Sequence, residues 1–238
     1  SLLRKIERDQ QKLADICEVR DGIVPYIREK MLSNLKIDDR YVKFAGVSGT
    51  YKLDRYYFTA EEMYLCYDIN EAKKYISDVE ELRKVQLRDK EIFLQPEKII
   101  TSQNSAQLKG SIDRSQYFVS NSIHSTYLKE QFRDKYKLSF ILACMNSSVL
   151  NYYYNSKRLK GVDLHPQILI STLKILPIPK ITSESLDLVD KISDLVEQVI
   201  SLKKDGIAVT DNLEKQIDDF VIEVYGLNKE EKETVRNS

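Results

Sequence analysis

The 238-residue chain has no tryptophan, two histidines, three cysteines, five prolines and seven glycines. Cys17, Cys66 and Cys144 are too few and too scattered for a disulfide framework, and no Cys-x-x-Cys pair offers a zinc site. They read as reduced thiols, which places the chain in the cytoplasm. The longest apolar run, Phe140 to Met145, is far short of the ~20 residues a membrane helix needs. No charged-then-apolar leader opens the sequence, so neither a membrane role nor export is expected. Glycine and proline are too scarce for a collagen-like chain, and 42% apolar residues exclude simple disorder. The opening on Ser1, with a helical pattern that starts abruptly, reads as a piece of a longer polypeptide.

Signatures of catalysis are equally sparse. Gly46-Val-Ser-Gly49-Thr lacks the Gly-Lys-Ser/Thr ending that a phosphate loop needs and reads as a turn. Amino-group methyl transfer would need a glycine-rich cofactor loop and an Asn/Asp-Pro-Pro-aromatic tetrapeptide, yet no Pro-Pro occurs. There is no glycine-flanked serine elbow. His124 and His165 have no acidic or cysteine partner at ligand spacing. Asp54 with Glu71-Ala72-Lys73 can be set into the frame of a metal-dependent nuclease, but the triplet opens a charged segment whose simpler reading is a solvated face. The chain by itself is expected not to be an enzyme.

What the chain does have is uneven charge. Lys+Arg and Asp+Glu are each 37. Residues 98–180 carry 12 basic and 4 acidic side chains, a net +8, whereas residues 181–238 carry 7 and 14, a net −7. In the basic block Lys109, Arg114, Lys157, Arg158 and Lys160 fall in predicted loops, interleaved with Gln103, Asn104, Asn121 and His124. Arginine and lysine can bond phosphates and guanine edges, and asparagine and glutamine match adenine edges. These nine residues are the candidate DNA contacts, set against the plainer reading of a solvated loop surface. Asn121 has a rival role in fixing a turn.

Hydrophobic spacing predicts an α+β chain: a small mixed, twisted sheet with packed helices, followed by a C-terminal helical hairpin. A short helix over 1–14 precedes a strand, turn and strand over 13–27. Another strand is expected over 51–58, and residues 61–90 read as mostly helical. Residues 98–103 read as a strand paired with 116–120, and 136–156 as one core helix. Residues 168–170 read as a strand or turn, and Leu176-Pro-Ile-Pro-Lys180 as an extended strap. Leu188, Ile192, Leu195, Val199 and Leu202, then Leu213, Ile217, Phe220, Val224 and Leu227, give two helices around Asp205-Gly206. Asp211 with Glu214 fits a capping box, Gly226 suits a C-terminal stop, and Asn228 with Glu231 starts a last short helix. A boundary near 180 divides a body, 1–180, from a helical tail, 181–238.

The ordered phrases carry more than any one of them. Leu13-Ala-Asp-Ile-Cys-Glu-Val-Arg-Asp-Gly-Ile23, Pro96-Glu-Lys-Ile-Ile100, Tyr117-Phe-Val-Ser-Asn-Ser122, Leu142-Ala-Cys-Met-Asn-Ser-Ser-Val-Leu-Asn-Tyr-Tyr153, Leu176-Pro-Ile-Pro-Lys180 and Ile217-Asp-Asp-Phe-Val-Ile-Glu-Val-Tyr-Gly-Leu227 stand in sequence. Together they resemble the TaqI-like C-terminal specificity domain, the target-recognition domain of adenine-specific DNA methyltransferases and type IIG restriction-modification enzymes. The resemblance implies loops offered to double-stranded DNA and packing against an upstream methyltransferase domain that binds S-adenosylmethionine. No cofactor is expected in this piece. It transfers no contact residue, because base-contacting positions vary within the family. The alternatives are a fragment of a type I-like specificity subunit, a helical assembly module dimerising through the tail, and the nuclease.

Overall fold

The computed structural model describes residues 1–25, 28–157 and 167–237. Its organising element is the strand Lys98–Ser102. Adjacent strand residues point to opposite faces, so Ile99 and Ile100 can each be buried only if both faces of the sheet are covered. They are: Ile99 enters one apolar core and Ile100 another. The strand belongs to a six-stranded mixed sheet in the order Cys17–Asp21, Ile123–Leu128, Lys98–Ser102, Gly110–Asp113, Tyr56–Ala60 and Tyr51–Leu53. All pairs are antiparallel except Tyr56–Ala60 with Gly110–Asp113.

Helices fill the larger core. Leu138–Asn146 is buried along its whole length. Against it pack Ser148–Lys157 and the hairpin of Leu186–Lys204 and Asp211–Val224, with Lys229–Arg236 closing onto Ser148–Lys157. The smaller core lies beneath a four-stranded sheet, Phe118–Val119, Tyr41–Ala45, Tyr64–Cys66 and Leu32–Ser33, and includes Met31, Phe44, Leu65, Phe93 and Phe118. Phe93 and Phe118 stack with centroids 4.7 Å apart. Gly22 makes the junction between the sheets possible. A Cβ at residue 22 would lie 2.1 Å from the Ser120 carbonyl oxygen, so only glycine allows this approach.

The α+β class and the helical hairpin are as the spacing predicts, including left-handed Gly206 and Gly226 and the reciprocal Asn228–Glu231 cap. Several elements differ. Residues 61–90 form the strand Tyr64–Cys66 and two five-residue helices, Ile69–Lys73 and Val79–Arg83. Three consecutive buried residues at 64–66 fit a strand covered on both sides, and the charged text beyond lacks a continuous apolar stripe. The expected single helix over 136–156 is broken at Ser147, whose backbone is extended and whose hydroxyl bonds the Cys144 carbonyl. Lys98–Ser102 does not pair with 116–120. Its partners are Ile123–Leu128 and Gly110–Asp113, while Phe118–Val119 runs parallel to Tyr41–Ala45.

Gly110–Asp113 sits in a polar stretch that reads as loop, yet it is buried because other elements satisfy its polar groups. Residues 168–170 end in the helix Ile170–Lys174, and the proline strap pairs through Pro177–Ile178 with Gln11–Lys12. Thr210, not Asp211, is the N-cap of Asp211–Val224. The apolar residues on both sides of position 180 share the larger core: Ile6, Ile112 and Leu142 lie in it with Ile192, Val196 and Val221. The hairpin seam is therefore filled by the chain itself.

Lys98 and Asp113 form a fully buried ion pair across adjacent strands. Lys98 Nζ also donates to the Phe93 carbonyl at 3.0 Å, and Asp113 accepts from the Ser115 and Tyr117 amides at 2.7 and 2.9 Å. Burial pulls the Lys98 pKa below its ordinary value, against the pull of Asp113. Removing one partner of such a pair strands a buried charge. Lys98→Ala is expected to lower unfolding free energy in urea by about 3–5 kcal/mol.

Acid should act at a different place. The Lys157 and Tyr153 side chains hold the Glu7 carboxyl below the usual carboxylate range, as Lys5 and the Asn228 amide hold Glu231. Both folded values are depressed, so their stabilisation is present above the ordinary glutamate value of about 4.3 and is lost as pH falls through the folded values. Amide exchange in Lys229–Arg236 should therefore accelerate below about pH 4, before the buried sheet opens.

Candidate nucleic-acid interface

The sheet brings four stretches to one of its ends. Gln103 sits at their meeting point: its amide donates to the Ser122 carbonyl at 2.7 Å, and its own carbonyl accepts from the Ile168 amide at 2.7 Å. The Asn121 amide donates to the Ile23 carbonyl at 2.8 Å, adding the segment after Gly22. The loop 103–109, the turn 120–122, residues 22–23 and residues 167–168 thus form one edge. Tyr154 donates its hydroxyl to the Gln167 carbonyl at 3.1 Å, which draws position 167 back to the helix Ser148–Lys157.

Side chains that imitate a backbone hold this edge. Asn146 Oδ1 accepts from the Gly110 amide at 2.7 Å, and its Nδ2 donates to the Gly110 carbonyl at 3.0 Å. Asn151 makes the same pair with Leu108, at 2.9 and 3.0 Å. A carboxamide carries one acceptor and two donor hydrogens, so it can take the place of a missing strand neighbour. Both asparagines lie in the phrase 142–153. Nothing in their spacing marks this role, because their partners are backbone groups about 40 residues away in sequence.

The nine expected contacts fall into distinct environments. Asn104 is exposed in the loop 103–109, and Gln103 and Asn121 are half-buried on the same edge. Lys109 lies at the far root of the loop, 3.7 Å from Asp54. Arg114 makes a two-pronged ion pair with Glu197 of the hairpin, at 2.8 and 2.6 Å, and reaches Glu97 at 3.1 Å. Glu197 first, then Glu97, pushes its pKa further up. Arg114 therefore ties the sheet to the acidic tail. Lys157 pairs with Glu7 at 2.8 Å beside the Tyr153 ring. Arg158 and Lys160 lie outside the described residues.

His124, read from sequence as a base-edge candidate, is buried at 2% exposure. Its Nε2 bonds the Ile168 carbonyl at 2.8 Å. Its Nδ1 lies 2.9 Å from Asp21 Oδ1, within ionic contact but without hydrogen-bond alignment. The alternation of Ile123–Leu128 turns residue 124 toward the larger core, so it supports the edge from beneath.

The nuclease frame is not assembled. Asp54 pairs with Lys52 and Lys109, whereas Glu71 pairs with Arg40 and Lys74 in a separate network. Among the described residues no cluster of three potential metal ligands occurs. Among the described residues no helix is long and apolar enough to cross a membrane.

These features define a scaffold that presents loops from the end of a doubly covered sheet. The model of a protein family, the TaqI-like C-terminal specificity domain, matches residues 33–178, and the chain belongs to that family. Among solved structures, the chain is similar to the type IIL restriction-modification enzyme MmeI, determined in complex with DNA. Identity is 9% and the TM-score 0.58, over 98% of this chain and 37% of that one. It also resembles the HsdS subunit from Thermoanaerobacter tengcongensis, at 10% identity and TM-score 0.44 over 94% of this chain and 49% of that one. A type I restriction-modification assembly gives 11% identity and TM-score 0.44 over 90% and 44%. The chain thus spans about a third of the MmeI chain's length. No curated protein matches it.

The asparagine supports and the exposed loop residues should separate experimentally. Asn146→Ala, which deprives two buried backbone groups of partners, is expected to cost about 1–3 kcal/mol in urea unfolding. Asn104→Ala should change stability by less than about 0.5 kcal/mol.

Proposed function

We propose that this chain is the sequence-reading part of a restriction-modification enzyme or adenine-N6 DNA methyltransferase, with the catalytic module carried upstream on the same polypeptide. The observation that carries the reading is the edge itself: polar side chains from separate segments converge on one end of the sheet, held by bonds that do not use those side chains. Family membership supports the same reading.

In this division of labour the chain binds double-stranded DNA and chooses the site. The upstream domain binds S-adenosylmethionine and accepts an adenine turned out of the duplex. Gln103, Asn104 and Asn121 are the residues assigned here to base edges. Each well-made bidentate contact would favour its base by about 1–3 kcal/mol. Lys109 and Lys157, each beside one carboxylate, together with Arg158 and Lys160, are assigned here as phosphate or guanine contacts. Arg114 and His124 have internal partners and serve the scaffold. Such an enzyme works in the cytoplasm, where its DNA is. The hairpin, its seam filled internally, serves as a brace for the body, and a second copy of the chain is not required.

Selection from a random duplex library tests this. The 238-residue chain should enrich one short motif, and Asn104→Ala should relax or change a position in that motif while the protein stays folded. Recovery of unbiased sequence, or a motif unaltered by substitutions at Gln103, Asn104 and Asn121 together, would overturn the reading.

A further inference from the structure

The charge distribution drew attention to residues 98–180, but one cation of that block, Lys174, meets two that come from outside it, Arg20 and Arg88. Arg20 comes from the end of Cys17–Asp21, Arg88 from the segment after Val79–Arg83, and Lys174 from the last turn of Ile170–Lys174. They line one open polar cleft of about 470 Å³, with Gln86 among its other walls.

Arg88 is held there deliberately. Its backbone is left-handed, with φ of 65°, a region that non-glycine residues seldom occupy. Its Nε donates to the Gly22 carbonyl at 3.1 Å, which fixes the guanidinium at the residue adjoining the Ile23–Asn121 contact. One Nη remains 4.0 Å from Asp21 Oδ2, beyond hydrogen-bond reach, so a donor is left for an incoming oxyanion. Asp21 Oδ1 also lies 2.9 Å from His124 Nδ1. Asp89 lines the cleft as well, and Arg20 pairs with Glu18 at 2.9 Å. Lys174 has no ion pair among the described residues. Arg114 forms the contrast: an arginine in the expected basic block whose donors are already taken by Glu97 and Glu197.

We infer that Arg20, Arg88 and Lys174 form a contact site for the phosphodiester backbone of the duplex, immediately beside the base-reading edge. The inference rests on the DNA-reading function proposed above and adds its anchoring point. A guanidinium fixed by a carbonyl at the rim of the edge sets where the backbone lies, and so which base pairs the loop 103–109 can reach. Phosphate contacts of this kind position a protein and carry no sequence information directly.

The test measures binding of the 238-residue chain to a 30-bp duplex between 50 and 200 mM KCl, by fluorescence anisotropy. Each neutralised phosphate contact contributes about 0.9 to the slope of log K against log salt. Arg20→Gln/Arg88→Gln/Lys174→Gln together should make that slope shallower by about 2–3 and weaken binding to matched and unmatched duplexes alike. A control triple on the hairpin, Lys191→Gln/Lys204→Gln/Lys215→Gln, should leave the slope unchanged. Lys174→Gln alone, which breaks no ion pair, should reduce it by about 0.9 and keeps the test valid if the Arg88 substitution unfolds the protein. Cleft variants that fold and keep the parental slope would overturn this inference and leave the DNA-reading function standing. A wild-type chain with no duplex affinity would instead overturn the function on which it rests.

Discussion

Burial of both faces of one strand underlies everything else in this protein. Because Ile99 and Ile100 enter opposite cores, a slip of one residue in Lys98–Ser102 would carry each side chain into the other core. The Lys98–Asp113 pair reinforces that register from within the sheet. With the register fixed, residue 103 leaves the sheet at a defined point and Gly110 returns at another. The loop between them can vary in sequence while its roots stay still.

A candidate reading edge needs polar side chains free to meet a ligand and backbone held firmly enough that they meet it in one geometry. Here the two demands fall on different residues. Asn146, Asn151, His124 and Tyr154 bond backbone groups around the loops from inside. Asn104 is exposed and Gln103 and Asn121 are half-buried on the backbone so held. The acidic tail takes part indirectly, since Glu197 engages Arg114 and the hairpin seam packs on the helix Leu138–Asn146.

The helical hairpin was legible in the sequence because its signal is local: apolar residues recur at three and four, and Gly206, Gly226 and Asn228 end or begin helices by their own backbone preferences. The sheet was legible only in part. Gly110–Asp113 reads as loop because serine and aspartate are poor strand formers, and its strand state depends on Lys98, Asn146 and the Asp54 carbonyl. The segment 61–90 misleads for the converse reason. Its charged composition resembles a helix surface, while the strand Tyr64–Cys66 owes its form to neighbours on both sides.

By itself, then, the sequence determined the α+β class, the terminal hairpin and a set of polar loop residues worth suspecting. These follow from residue type and short-range spacing. Tertiary structure alone decided that Arg114 is a brace, that His124 is a buried support, and that Arg20, Arg88 and Lys174 share a cleft. An ion pair or a cleft depends on which distant segments the sheet order brings together, and that order is set by the burial of both faces rather than by anything a short window of sequence contains.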